Sequence, residues 1–250
     1  MLRLKRLAVL GLFAFCVITA FLFWALRYTG AETRAALPPP PRAEAKLETL
    51  STGITSAVNI TRSTDAQWLI DAAAQTDIPA RALQAYVAAA GAANESAPAC
   101  GIGWNTVAGV GFVESGHGTY GGGSLTSAGQ ASGPIVGPSL NGDGFAAIPD
   151  TDAGALDGDA QWDHAVGPMQ FIPSTWQLAG RDGNGDGKAD PLNIDDAALS
   201  AASYLCARGG DLTTAGGWAD AIYSYNQSDT YVANVRDRAT AYAARAGTTG

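Results

Sequence analysis

Glu114 closes the apolar run Val107-Ala108-Gly109-Val110-Gly111-Phe112-Val113, where an ionised side chain is costly to bury. At helical spacing it shares a face with Val107, Val110 and Gly111. Desolvation raises a carboxyl pKa, and so does the negative end of a helix dipole, which Gly116 marks here. No Lys or Arg occurs between Arg81 and Arg181, so no sequence-local cation holds Glu114 ionised. A carboxyl kept protonated near neutral pH is what general acid catalysis requires. The plain alternative is a glutamate that reaches solvent at a helix end.

Other residues offer different chemistry. Asp182-Gly183-Asn184-Gly185-Asp186-Gly187-Lys188 fits the opening of an EF-hand loop. Its side-chain oxygens fall at positions 1, 3 and 5, with Gly at 6 and the Lys188 carbonyl at 7. Position 12 holds Asn193 rather than Glu, with Asp195 and Asp196 just beyond. A plain Asp/Asn/Gly turn is the alternative. His117 and His164 are the only histidines; neither has a second ligand at metal spacing, which argues against zinc. His117, beside Glu114, reads as a solvated loop residue, with a groove residue as the alternative. Cys16 falls in a long apolar run, leaving Cys100 and Cys206 as the exported pair. A bridge between them is expected in an oxidising compartment, with free buried thiols as the alternative.

These groups need a scaffold. The chain has 250 residues, 47% hydrophobic and 15% charged, which excludes a mainly disordered protein. Its net charge of -8 argues against nucleic acid as a partner. Residues 7–26 carry no charge and are long enough to span a bilayer. Arg3, Lys5 and Arg6 precede them, so residues 1–6 are expected in the cytoplasm and the rest outside. A cleaved signal peptide is the competing reading. Without residues 1–28 the balance becomes -12, because four basic residues and no acids leave with them.

Residues 27–63 read as a linker around Pro38-Pro39-Pro40-Pro41, with a short helix possible at 44–50. Asn59-Ile60-Thr61 fits a glycosylation sequon of little weight. Residues 64–247 form the main domain. Helices are expected from Thr64 or Asp65 to Ala74, from Pro79 to Gly91, and over 104–115, 173–180, 195–208, 217–225 and 229–244. Asp195 or Asp196 is expected to cap the fifth of these and Ser228 or Asp229 the last. No segment shows clean strand alternation. Residues 119–165, rich in Gly, Ser and Asp, form a connection long enough to suggest function.

Three blocks bear on function: Glu114-Ser115-Gly116-His117-Gly118, then Ala165-Val166-Gly167-Pro168-Met169-Gln170-Phe171-Ile172-Pro173-Ser174-Thr175-Trp176, then Ala221-Ile222-Tyr223-Ser224-Tyr225-Asn226-Gln227-Ser228. In this order they resemble the lytic murein transglycosylases, most closely the membrane-bound B type, over roughly residues 64–245. The resemblance implies a mainly α, lysozyme-like helical domain with a long active-site loop and an EF-hand-like loop, preceded by a single transmembrane helix. It implies Glu114 as the catalytic acid and then base, with Ser115 supporting its carboxyl group. Gly167, Met169, Gln170 and Phe171 would line the sugar groove, and Tyr225 and Asn226 would face the glutamate from the other side. It also implies Asp196 as the closing ligand of a structural calcium site with Asp182, Asn184, Asp186 and Lys188. No cofactor would serve catalysis, and the substrate would be peptidoglycan glycan strands.

Two other classes stay open at this level. One is a hydrolytic muramidase whose second carboxylate is Asp150, Asp152, Asp157, Asp159 or Asp163. The other is a non-catalytic wall-binding module.

Overall fold

The computed structural model describes residues 37–48, 63–144 and 146–247. The expected membrane span at 7–26 and the sequon lie outside them. Among the described residues no helix is long and apolar enough to cross a membrane. The elements in chain order are β1 (Leu47–Glu48), β2 (Ser63–Thr64), α1 (Ala66–Thr76), α2 (Ala80–Ser96), α3 (Trp104–Ser115), a 3-10 turn (Tyr120–Gly122), β3 (Val136–Ser139), β4 (His164–Val166), α4 (Pro173–Ala179), α5 (Ile194–Gly209), α6 (Ala215–Tyr225) and α7 (Asp229–Ala246). The domain is mainly helical, as expected.

Helix starts follow local chemistry. Asp65 accepts a hydrogen bond from the Trp68 amide and Ser228 from the Tyr231 amide. The cap of α5 falls to Asn193, which accepts from the Asp195 amide. Asp195 and Asp196, expected as caps, sit in the first turn, where the helix dipole favours anions. Gly91 does not end α2. The buried face of Leu83, Tyr86, Val87 and Ala90 continues to Ala93, and that burial outweighs the roughly 1 kcal/mol a mid-helix glycine costs.

α3 is the central helix. Trp104 to Gly111 are all buried, and the helix packs most extensively against α7. The approach is close because Gly109 has no side chain: a Cβ there would stand 2.9 Å from the Val235 carbonyl oxygen. α2 packs on α5 and α5 on α6. Trp218 of α6 is buried and donates from its indole to Thr106 Oγ1 of α3 at 3.1 Å.

The described part of the expected linker is not loose. Asn105, fully buried in the first turn of α3, accepts from the Ala43 amide at 3.0 Å and donates to the Pro41 and Ala239 carbonyls, each at 2.9 Å. β1 then pairs antiparallel with β2. Residues 37–48 thus form a strap across α3 and α7, and residues 47–48 are strand, not part of the short helix possible at 44–50.

The 119–165 connection also carries structure. β3 pairs antiparallel with β4 around an irregular register, and Leu125–Ala131, Asn141–Ala147 and Pro149–Trp162 form isolated bridges. Short pairings of this kind leave no alternation to read in the sequence. Cys100, before α3, is joined by a disulfide to Cys206 in α5, their Cα atoms 5.2 Å apart. In the chain-entropy picture a loop of about a hundred residues contributes roughly 4.7 kcal/mol. Cys100→Ala/Cys206→Ala is therefore expected to lose about 2–5 kcal/mol in denaturant titration, and an unchanged midpoint would remove the bridge from the stability argument.

Candidate active site

Glu114 occupies the last turn of α3, which Gly116 closes in the left-handed region. The Gly116 amide donates to the Phe112 carbonyl and the His117 amide to the Gly111 carbonyl, each at 2.9 Å. The Glu114 side chain is half-buried, and its Oε1 accepts from the Tyr231 hydroxyl at 2.5 Å. Burial pushes the carboxyl from its ordinary 4.5 up to about 7, while the Tyr231 hydrogen bond pulls the other way. Tyr231 titrates well above its ordinary range, through burial and then the neighbouring Glu114. It therefore stays protonated and remains a donor.

Tyr231 was not among the expected site residues. It lies in the first turn of α7 and reaches Glu114 across 117 residues, a pairing that no local spacing reveals. Its ring stacks parallel to Tyr225, centroids 6.5 Å apart. Tyr225 meets Phe171 and Tyr204 edge-on at 5.7 and 5.8 Å. Beside this aromatic group opens a cleft of about 640 Å³, lined among others by Gln170, Phe171, Tyr204, Tyr225 and Asn226. Glu114 is not in that lining and is linked to it through the Tyr231–Tyr225 stack.

The structure assigns several expected residues different work. The Tyr225 hydroxyl donates to the Met169 carbonyl at 2.8 Å, so Tyr231 is the tyrosine bonded to the glutamate. The Ser115 hydroxyl donates to the Pro168 carbonyl at 2.6 Å and accepts from the Gly118 amide at 2.7 Å. It ties α3 to the Gly167–Phe171 turn and makes no hydrogen bond to the Glu114 carboxyl group. Met169 is fully buried and underlies α3 rather than lining a groove. Gly167, at φ 77°, is needed because a Cβ would strike the Pro191 carbonyl oxygen. The Gln170 amide nitrogen donates to the Ile135 and Gly167 carbonyls at 3.1 and 2.9 Å, so its donor end is committed to backbone carbonyls. Phe171, Gln170 and Asn226 do border the cleft.

His117 is not a solvated loop residue. It is 4% exposed, with Nδ1 3.1 Å from the Tyr86 hydroxyl and Nε2 2.9 Å from the Tyr242 hydroxyl.

The five loop aspartates are each occupied by their own loop. Asp150 accepts from the amides of Asp152, Ala153 and Gly154, and Asp152 from those of Ala155 and Leu156. Asp157 accepts from the Asp159 and His164 amides. Asp159 accepts from the Gln161 amide and pairs with His164. Asp163, fully buried, accepts from the Thr151 amide and hydroxyl.

The 182–196 loop closes on its own backbone. Asp182 accepts from the Gly185 and Gly187 amides, Asn184 from Asp186, and Asp186 from Lys188. Asp196 is fully buried and accepts from the amides of Gly183, Asn184 and Asp190. Burial and then the nearby Asp182 raise its pKa against those bonds. The donor types suit a hard cation, and the same side-chain oxygens accept the loop's own amides. Among the described residues, the cluster of three carboxylates whose oxygens lie within 4.8 Å of one another is Asp150, Asp152 and Asp163.

Residues 146–219 match the family model described as the transglycosylase SLT domain, in line with the resemblance read from the sequence. That stretch contains the Gly167–Phe171 turn and the 182–196 loop, but neither Glu114 nor Tyr231. No curated protein matches the chain. Among solved structures the chain is similar to the Escherichia coli lytic transglycosylase Slt35 in complex with bulgecin A, at 14% identity and a TM-score of 0.44, covering 74% of this chain and 76% of that one.

Two outcomes follow from the buried carboxyl. Its folded pKa exceeds the unfolded value, so the folded state holds the extra proton. That contribution is complete below about 4.5 and is lost as pH rises through about 7. Glu114→Gln is expected to match wild type in denaturant midpoint near pH 4 and to exceed it near pH 8; equal midpoints at both would contradict a desolvated carboxyl. Tyr231→Phe removes the bond that lowers the pKa, so the Glu114 titration followed by carboxyl carbon NMR is expected to move upward, and a downward move would overturn that assignment.

Proposed function

We propose that this chain, an enzyme carrying a transglycosylase SLT domain over residues 146–219, cleaves the MurNAc-(β1,4)-GlcNAc bond of peptidoglycan without water and leaves 1,6-anhydro-MurNAc ends. The observation that carries this reading is a single carboxyl, Glu114, poised at about 7 and held by Tyr231. A general acid works best with a pKa near the working pH.

In this reading Glu114 gives its proton to the glycosidic oxygen as the bond to the anomeric carbon breaks. The acetamido group of the muramyl sugar stabilises the charge developing at that carbon. The Glu114 carboxylate then takes the proton of the muramyl 6-hydroxyl, whose oxygen closes the anhydro ring. Glu114 is protonated again at the end, and no water enters. Tyr231 donates to the carboxylate while it is charged and fixes its direction. The cleft walled by Tyr204, Phe171 and Tyr225 offers apolar ring faces, and Asn226 offers an amide, a suitable mixture for N-acetyl sugars.

The hydrolytic alternative needs a second carboxylate to activate water. Its five candidates are engaged by loop amides, hydroxyls or His164, which disfavours that role. A purely binding module would have no use for a carboxyl held near neutrality. Membrane anchoring through residues 7–26, with the domain outside the cytoplasm, is part of the same proposal; it is supported by the uncharged run and the basic residues before it. Fractionation of cells expressing the full chain tests that placement.

Mass spectrometry of fragments released from purified peptidoglycan is expected to find ends one water lighter than reducing ends. Reducing ends would refute the reading. Glu114→Gln is expected to lower turnover by about 10²- to 10⁴-fold, with the wild-type alkaline limb centred near 7. Turnover of wild-type size in that variant would remove Glu114 from the chemistry.

A further inference from the structure

Three residues past Glu114, the chain bears an expensive feature that the reaction does not use. His117 has φ +65°, a left-handed conformation that a side chain with a Cβ enters reluctantly. Its imidazole is nonetheless buried, and both ring nitrogens have partners. Burial, and then the Arg238 charge, push the imidazole down to about 4. Burial holds Tyr86 above its ordinary range and Tyr242 near 12. All three groups are therefore neutral at neutral pH. A neutral imidazole has one N–H and one bare nitrogen, so it donates to one tyrosine and accepts from the other.

The partners lie on the elements that frame Glu114. Tyr86 belongs to α2, and its hydroxyl fills the space that a side chain on Gly111 of α3 would need. Tyr242 belongs to α7, the helix that also presents Tyr231 to Glu114. Tyr231 and Tyr242 are eleven residues apart, close to three full turns, and so share one face of α7. The Phe112 ring lies edge-on to His117 at 5.6 Å, and the Arg238 guanidinium sits over that ring at 3.7 Å. α7 thus holds the end of α3 twice, once at the carboxyl group and once at the loop that follows it.

We infer that His117 is a positioning residue for Glu114: the Tyr86–His117–Tyr242 clamp fixes the final turn of α3, so that the carboxyl group meets Tyr231 and the scissile oxygen in one orientation. The inference rests on the reading of Glu114 as the acid. A buried position filled only for packing would take an apolar side chain at lower cost, and a left-handed position chosen for its backbone would take Gly or Asn.

The test uses the full chain and the variants His117→Phe, His117→Asn and Tyr242→Phe. Glycan-strand cleavage, thermal midpoint and the Glu114 titration by carboxyl carbon NMR are measured for each. The groups facing the clamp and the carboxyl are Tyr86, Tyr242, Arg238, Tyr231 and Tyr225, and all remain in both His117 variants. His117→Phe keeps a ring and loses both hydrogen bonds. It is expected to lower kcat by about 10- to 100-fold with KM within about twofold, as small misplacements of a catalytic group do, and to move the Glu114 titration. His117→Asn tolerates the left-handed backbone and can keep the Tyr86 partner, so it is expected to recover part of kcat. If His117→Phe does not fold, Tyr242→Phe carries the same test by deleting one hydroxyl, with a loss in kcat of about fivefold.

A folded His117→Phe with wild-type kcat and an unmoved Glu114 titration overturns the inference. So does a fall in activity that only follows the thermal midpoint while the titration stays put. Failure of the underlying reading shows itself separately, as wild-type products without anhydro ends, because the NMR titration reports on positioning without any turnover.

Discussion

A carboxyl group at the C-terminal end of an apolar helix has few ways to be tolerated, and the site follows from the way taken here. Desolvation and the helix dipole both oppose charge on Glu114, and one hydroxyl, that of Tyr231, answers them. A Lys or Arg partner would have held the group ionised and useless as an acid. A fully apolar pocket without a donor would have driven the pKa higher still and left the anion unsupported once the proton was given away. A single neutral donor that cannot itself ionise near neutrality lies between these limits. It leaves the proton in place near 7 and still has something to offer the carboxylate.

That balance depends on the packing of α3 against α7 and α2, and the closeness is set by absent atoms. Gly109 lets the Val235 carbonyl approach, and Gly111 makes room for the Tyr86 hydroxyl. A side chain at Gly109 would push α3 away from α7, and one at Gly111 would strike Tyr86 of α2. Glycine weakens a helix by about 1 kcal/mol against alanine, and two within three residues of a central helix are an unfavourable local choice. Burial of the whole first two turns of α3 compensates. The local propensity of the segment is thus subordinate to the geometry of its last turn.

The helices were largely legible in the sequence because they are amphipathic, capped or wholly apolar. α3 spans Trp104–Ser115 as its composition suggested, and α7 starts at the Ser228 cap. Glu114 was legible because a carboxylate in apolar company is conspicuous. What stayed hidden was direction and partnership. Ser115 lies next to Glu114 in the chain, yet its hydroxyl turns to Pro168 and Gly118. Met169 sits in the most recognisable block and points into the core. Tyr231 and His117 act through contacts more than thirty residues away in sequence, beyond any helical or strand period. The Asp/Asn/Gly loop reads two ways in sequence, because the residues that bind a hard cation are the same ones that close turns on backbone amides.

The strap over Asn105 changes the mechanics of the molecule. Read as sequence, residues 27–63 allow a leash of 37 residues between membrane and domain. Because Pro41 and Ala43 are bound to Asn105 on the helix that carries Glu114, this part of the stretch belongs to the domain. A pull on the chain from its N-terminal side is therefore delivered at Pro41 to the first turn of the helix whose last turn holds Glu114.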